Sequence, residues 1–256
     1  MKKVLISILS IVSLYSVMNA VTYVSVKTDD GQTVVFDAKD IAEINYEETN
    51  SLDVTVSGKI GNYTYVDLGL PSGLKWATYN VGAKSAEETG SFFAWGETEA
   101  KDTYSWSSYK LCEGDELTLT KYCTDQNFGT KDDLVTLEAA DDAATQIWGS
   151  AWHIPNLDEI QELISGCKWE WQADQNGSGV SGMLGISITN GNSIFLPAFG
   201  FITGDKQSDK GTVGYYWSAS LKNSQNATCI SLTSKFIRSE SVKERSEGLL
   251  IRAVAK

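Results

Sequence analysis

From residue 183 onward the chain is a series of short apolar runs broken by turn residues, and that pattern confines it to antiparallel strands. Residues 183–189 and 193–197 flank Asn190-Gly191, a pair suited to the positive-φ turn of a tight hairpin. Residues 215–218, 227–233 and 249–254 add three more runs of strand length. Upstream, residues 66–68 and 74–79 are joined by Pro71-Ser72-Gly73, a turn signal, and residues 92–95 form another apolar strand. Helical signals are fewer. Ser85 is expected to cap a short helix over residues 86–88 that ends at Gly90. Asp142 caps residues 143–148. Asn156 caps residues 157–165, with Glu159 completing a capping box and Gly166 ending the helix. Leu157, Ile160, Leu163 and Ile164 give that second helix one apolar face. Strands, two short helices and then an antiparallel set predict an α+β fold.

Residues 22–46 form a separate piece. Val24 and Val26, then Val34 and Phe36, alternate on either side of Asp29-Asp30-Gly31, which predicts a β-hairpin, with residues 40–46 leading to a third strand. A polar connection follows, so the expected organisation is a leader at 1–20, a small hairpin segment and linker at 21–59, and a main domain at 60–256. Three short elements are marginal as an independent fold, so the hairpin is expected to pack on the main domain or on a partner.

The first twenty residues read as a cleavable export signal. Lys2 and Lys3 precede an acid-free stretch, residues 4–18, diluted only by serines, and Asn19-Ala20 places a small residue at the cut. A membrane-spanning helix needs about 20 apolar residues. With no cysteine at the cut to carry a lipid, the mature chain is expected to have no direct membrane anchor and to be secreted, periplasmic or at the cell surface. The formal net charge is −12, and loss of the two leader lysines deepens it. Such a chain repels phosphate backbones and anionic bilayers, so nucleic acid is excluded as a partner.

Export permits disulfides, and Cys112, Cys123, Cys167 and Cys229 allow three pairings. The short polar loop between Cys112 and Cys123 makes that pair the preferred bridge, contributing about 2–3 kcal/mol by loop closure. Four free thiols are the alternative, and a Cys167–Cys229 pair stays open. No C-x-x-C motif is present to suggest a zinc knuckle or a thioredoxin-like site.

Several main-domain segments, taken together, carry a family resemblance. They are Val66-Asp67-Leu68-Gly69-Leu70-Pro71-Ser72-Gly73-Leu74-Lys75-Trp76-Ala77, Phe93-Ala94-Trp95-Gly96-Glu97-Thr98, Asp141-Asp142-Ala143-Ala144, Trp152-His153-Ile154-Pro155, Asn192-Ser193-Ile194-Phe195-Leu196-Pro197-Ala198 and Gly214-Tyr215-Tyr216-Trp217-Ser218. Over residues 60–256 the chain resembles the Fibrobacter succinogenes major paralogous domain, a family of exported bacterial surface proteins. The resemblance implies a C-type-lectin-like fold, distantly similar to the formylglycine-generating enzymes. Two departures stand out: Tyr79 occupies a place where many members have cysteine, which removes the usual partner of Cys167, and His153 occupies the place of an arginine.

The residues offer little chemistry. His153 is the sole histidine and sits beside a helix cap, so it is expected to pack rather than catalyse. The distant enzyme relatives need a cysteine pair near the C-terminus, where Cys229 stands alone. The calcium triplets of sugar-binding lectins are absent, Ile154-Pro155-Asn156 lacking the acid. The loop from Asp205 has Lys210 and Tyr216 where an EF-hand needs glycine and glutamate. No metal and no cofactor are expected. Aromatics remain. Tyr104, Trp106 and Tyr109 lie in a polar stretch without strand or helix periodicity and are the first candidates for ligand contact, with covering the core as the alternative. Trp169 and Trp171, two apart on an expected strand, form a second candidate platform, against core packing. The expected function is a non-catalytic exported binding module for a glycan or a surface or host protein. The alternative is an assembly component that uses the N-terminal hairpin as an edge strand. The binding reading turns on whether loops 97–131 and 202–213 converge on one concave aromatic pocket.

Overall fold

A computed structural model describes residues 53–256 throughout and, before them, three strands: β1 (Ser13–Leu14), β2 (Tyr23–Lys27) and β3 (Thr33–Asp37). The chain divides into two units, Met1–Asn50 and Ser51–Lys256. In the first, the strand order is β1-β2-β3 and both pairings are antiparallel. Val24 lies opposite Phe36 and Val26 opposite Val34, the hairpin that the alternation predicts. The rest of the leader, the Asp29-Asp30-Gly31 turn and the strand expected after residues 40–46 lie outside the described residues.

The second unit opens with β4 (Gly58–Ile60), β5 (Tyr63–Asp67) and β6 (Lys75–Ala77). Helix α1 (Ala143–Trp148), strand β7 (Trp152–His153) and helix α2 (Leu157–Ser165) follow a long irregular stretch. Two antiparallel meanders come next. The first is β8 (Cys167–Gln172), β9 (Gly182–Ser187) and β10 (Ser193–Pro197). A small ribbon, β11 (Phe201–Thr203) with β12 (Lys206–Ser208), separates it from the second, β13 (Val213–Asn223), β14 (Asn226–Thr233) and β15 (Phe236–Glu244). The last strand, β16 (Val254–Ala255), returns to the first sheet and completes the order β4-β5-β6-β16-β7.

That five-stranded sheet separates two apolar clusters, and strand alternation assigns each residue to a side. Val66, Trp76 and Val254, aligned in register, face one cluster with Leu163, Leu196 and Ile230. Ala77, Trp152 and Ala255 face the other, with Trp95, Trp148 and Trp217. The C-terminal segment threads between the layers: Leu249 bridges Phe93, Leu250 bridges Tyr216, and Val254 pairs with both Trp76 and His153. Leu249, Ile251 and Ala253 fall in one cluster and Leu250 and Val254 in the other.

Both helices form where their caps dictate. The Asp142 carboxylate accepts from the Thr145 N–H at 2.9 Å and from the Ile154 N–H at 2.7 Å, so it also fixes the strand that follows α1. Burial pushes its pKa up, against the lowering effect of those bonds. Asn156 and Glu159 exchange the reciprocal bonds of a capping box, and α2 buries Ile160 and Leu163.

The expected α+β, C-type-lectin-like class is corrected to a β-rich fold of several antiparallel sheets. Among the described residues there are two α-helices, of six and nine residues, against sixteen strands. Residues 86–88 form turns rather than a helix, because Gly82 and Gly90 both take positive φ and bend the chain on either side. Residues 92–95 make a single bridge, at Phe93, and residues 249–254 make bridges at Leu249 and Leu250 before entering β16 at Val254. In compensation β15, which carries Arg238, Glu240, Lys243 and Glu244, is a full nine-residue strand. Arg238, Glu240 and Glu244 face outward along an edge and blunt edge pairing, while Lys243 turns inward over the Phe201 and Tyr215 rings. The hairpin at Asn190-Gly191 forms between β9 and β10 with Gly191 at φ +76, but its loop runs over residues 188–192.

Candidate functional site

Tyr104, Trp106 and Tyr109 lie together, and two of the three are core side chains. Tyr104 is 2% exposed and donates its hydroxyl to the Phe92 carbonyl at 2.6 Å. Tyr109 is 3% exposed; its hydroxyl donates to the Trp95 carbonyl at 2.5 Å and accepts from Arg245 Nε at 3.0 Å. Both phenol protons are spent, and each oxygen already accepts one bond, Tyr104 from the Lys101 N–H and Tyr109 from Arg245. Trp106 packs edge-on to Tyr109, with ring centroids 5.5 Å apart, and its indole N–H is buried without a partner. Loops 97–131 and 202–213 do converge, but on each other: Tyr104 and Gly204 exchange two backbone hydrogen bonds of 2.7 Å, and Gly248 lies against the Tyr104 ring. They seal the core rather than line a pocket.

The residues that hold this loop region were not singled out from the sequence. Arg245 is fully buried and donates to the carbonyls of Lys121, Tyr122 and Ser224 at 2.7–2.9 Å, besides the Tyr109 hydroxyl. Glu97 is buried beside Lys101 at 2.8 Å and accepts the Lys110 N–H at 2.7 Å.

Trp169 and Trp171 share one side of β8, as their spacing predicts, and both are half-buried against the cluster that contains Leu163 and Met183. Trp169 donates its indole N–H to the Ile164 carbonyl at 3.0 Å and lies on Gly185, where any side chain would collide with the ring. All four cysteines are free. Cys112 and Cys123 belong to one apolar cluster, but their thiols point to different carbonyls, Trp106 and Asp125, so the bridge expected between them is not formed. Burial pushes the Cys167 and Cys229 thiols up to about 12, far from the reactive thiolate range. His153 Nε2 lies 3.1 Å from both Glu159 carboxylate oxygens, and so joins the capping box. Burial raises the Glu159 pKa, but hydrogen bonds from His153 and the Asn156 N–H outweigh it and leave the carboxyl below its ordinary value.

A cleft of about 330 Å³ opens elsewhere, on the Thr64–Thr78 side of the five-stranded sheet. Its floor is Thr64 and Thr78, neighbours on β5 and just beyond β6, whose hydroxyls hydrogen-bond each other. One wall is Asp53, Val54 and Val56, stapled down where Thr55 and Ser193 exchange hydrogen bonds and where Asn176 Nδ2 donates to Asp53 Oδ1 at 2.9 Å. The opposite wall is the turn at Lys84–Glu87. Tyr79 lines the cleft too and is held edge-on to Trp148, with centroids 5.8 Å apart.

The turn wall is anchored from inside the core. Arg252 is 1% exposed, and no carboxylate is among its hydrogen-bond partners. Its Nε and Nη2 both donate to Asn80 Oδ1, at 3.0 and 2.8 Å, and Nη1 donates to the Phe195 carbonyl at 2.9 Å. Asn80 Nδ2 in turn donates to the Thr89 carbonyl at 2.9 Å, so one buried guanidinium closes the loop that carries Lys84 and Glu87. Burial lowers the Arg252 pKa to about 10, which still leaves it charged at neutral pH. An arginine inside Leu249-Leu250-Ile251-Arg252-Ala253-Val254 was the sequence signal for this anchor.

The cleft therefore presents paired hydroxyls, a carboxamide, acidic and basic rim groups and one aromatic ring, over a floor with apolar walls. Groups of these kinds can hydrogen-bond and pack against a small polar molecule. Neither histidine nor cysteine is among its lining residues. Among the described residues no group of three or more metal-ligating side chains is gathered, and no helix is long and apolar enough to cross a membrane. No family model, curated protein or solved structure matches the chain.

Proposed function

We propose that the chain is an exported, non-catalytic binding module that takes a polyhydroxylated ligand, one residue of a glycan, in the cleft beside Tyr79. The observation that carries this reading is one concavity of about 330 Å³ lined by Thr64, Thr78, Asn176, Asp53 and the half-buried Tyr79. That volume falls at the small end of ligand sites. Sugar rings offer an apolar face to an aromatic side chain and hydroxyls to the groups around it, which is the chemistry gathered here. The leader at residues 1–20 and the resemblance to a family of exported surface proteins support the export half of the reading. The ligand site moves from Tyr104, Trp106 and Tyr109 to the cleft beside Tyr79, since Tyr104 and Tyr109 are buried in the core.

The test is a glycan array followed by calorimetry on the strongest binder. Tyr79→Ala should weaken binding at least about tenfold, the scale of one lost aromatic contact. Trp106→Ala should leave affinity unchanged. An array without binders, or a Tyr79→Ala variant that binds as well as the parent, overturns the reading.

A further inference from the structure

The outer strand of the first unit, β1, lies within residues 1–20, the segment read from the sequence as a removable leader. Ser13 lies opposite Ser25 and Leu14 opposite Val24, so β1 occupies the edge of β2 that β3 leaves open. Cleavage after Ala20 removes that neighbour and exposes a row of unpaired backbone donors and acceptors along Tyr23–Lys27. A two-stranded hairpin is marginal in water, and a third strand is what makes such a sheet persist.

We propose that a second copy of the processed chain takes the place of β1, with β2 pairing antiparallel to β2 of its partner about a two-fold axis at Ser25. The sequence of β2, Tyr23-Val24-Ser25-Val26-Lys27, is complementary to itself in that register. Ser25 meets Ser25, Val24 meets Val26, and Tyr23 meets Lys27, so no like charges stand directly opposite. The leader strand imitates this arrangement. Its Ser13-Leu14 presents a serine opposite Ser25 and an apolar residue opposite Val24, where the second copy presents Ser25 and Val26. The imitation is partial: β1 pairs two positions of β2, whereas a second β2 pairs all five. The product is a closed four-stranded sheet, β3-β2-β2-β3, with the same patch used by both copies. The leader thus delays assembly until export is complete. The proposal rests on leader removal and is independent of the cleft.

The experiment uses the chain recovered after export, with its N-terminus read by mass spectrometry and its mass in solution by sedimentation equilibrium. The processed chain should sediment at twice the monomer mass. Ser25→Lys and Ser25→Glu variants should each fall to the monomer mass, because each sets like charges opposite at the axis, while Ser25 faces Val35 within its own hairpin. An equimolar mixture of the two variants should return to twice the monomer mass, which a merely misfolded hairpin would not do. A chain recovered with Met1 intact shows that the leader is not removed, and the proposal falls with that reading. A processed chain that is monomeric, or a Ser25→Lys variant that stays dimeric, overturns the proposal alone.

Discussion

Arg252 and Asn80 are 172 residues apart in the chain and joined by two hydrogen bonds, from Nε and Nη2 to the same Oδ1 at 3.0 and 2.8 Å. The pair ties the C-terminal segment to the turn that walls the cleft. Arg252→Leu leaves Asn80 Oδ1 and the Phe195 carbonyl buried without donors, at about 1–3 kcal/mol each. The expected loss is about 3–5 kcal/mol in urea unfolding, with a double-mutant coupling to Asn80→Ala above about 1 kcal/mol. A loss under about 1 kcal/mol would mean that the guanidinium does not hold the turn.

Tyr104 and Trp106 should respond in opposite ways to losing their polar atom. Tyr104→Phe removes the donor to the Phe92 carbonyl and the acceptor of the Lys101 N–H, and should cost about 1–3 kcal/mol. Trp106→Phe removes a buried N–H that has no partner, and stability should stay within about 1 kcal/mol of the parent. Thermal or denaturant unfolding of the two variants side by side decides the matter; equal losses would contradict the geometry.

Alkaline pH should unfold the protein through its buried phenols. Burial pushes Tyr109 and Tyr216 well above the ordinary tyrosine value, and burial with the Asp141 hydrogen bond pushes Tyr122 up to about 12. The unfolded chain releases these protons near pH ~10, while the folded chain retains them. Their contribution to stability is therefore present below pH ~10 and is lost as pH rises from there toward the folded values, because the unfolded state binds fewer protons in that window. Arg252, lowered to about 10 by burial, acts with the opposite sign over the same range and softens the decline. Phenolate absorbance from the buried phenols should appear only as near-ultraviolet circular dichroism is lost. Ionisation of Tyr109, Tyr122 and Tyr216 with the fold intact would refute this.

Alkylation separates four thiols from a disulfide. Cys123, Cys167 and Cys229 are buried and Cys112 is half-exposed. Native, unreduced protein should add one iodoacetamide at Cys112, and the denatured, unreduced protein should add four by mass spectrometry. Two additions after denaturation would instead indicate one bridge.

Much of the local structure is written in the sequence because short-range chemistry dictates it. The caps at Asp142 and Asn156, the Val24–Phe36 hairpin register and the shared face of Trp169 and Trp171 depend on neighbours within a few residues. The fold class is not, since β15 becomes a strand only where β14 pairs with it, and residues 86–88 read as a helix until the glycines on either side bend them away. The site depended on the tertiary structure still more. Aromatics in a polar stretch look alike in sequence whether they face solvent or core. For Tyr104 and Tyr109 burial was decided by Gly204, Gly248 and Arg245, all more than 90 residues away in the chain. Sequence determines which groups are present and how near neighbours cap, turn and alternate. Only the folded chain decides which polar groups are spent on the core and which segments, like residues 53–56 and 84–87, meet around a cleft, because burial is a property of contacts between distant segments.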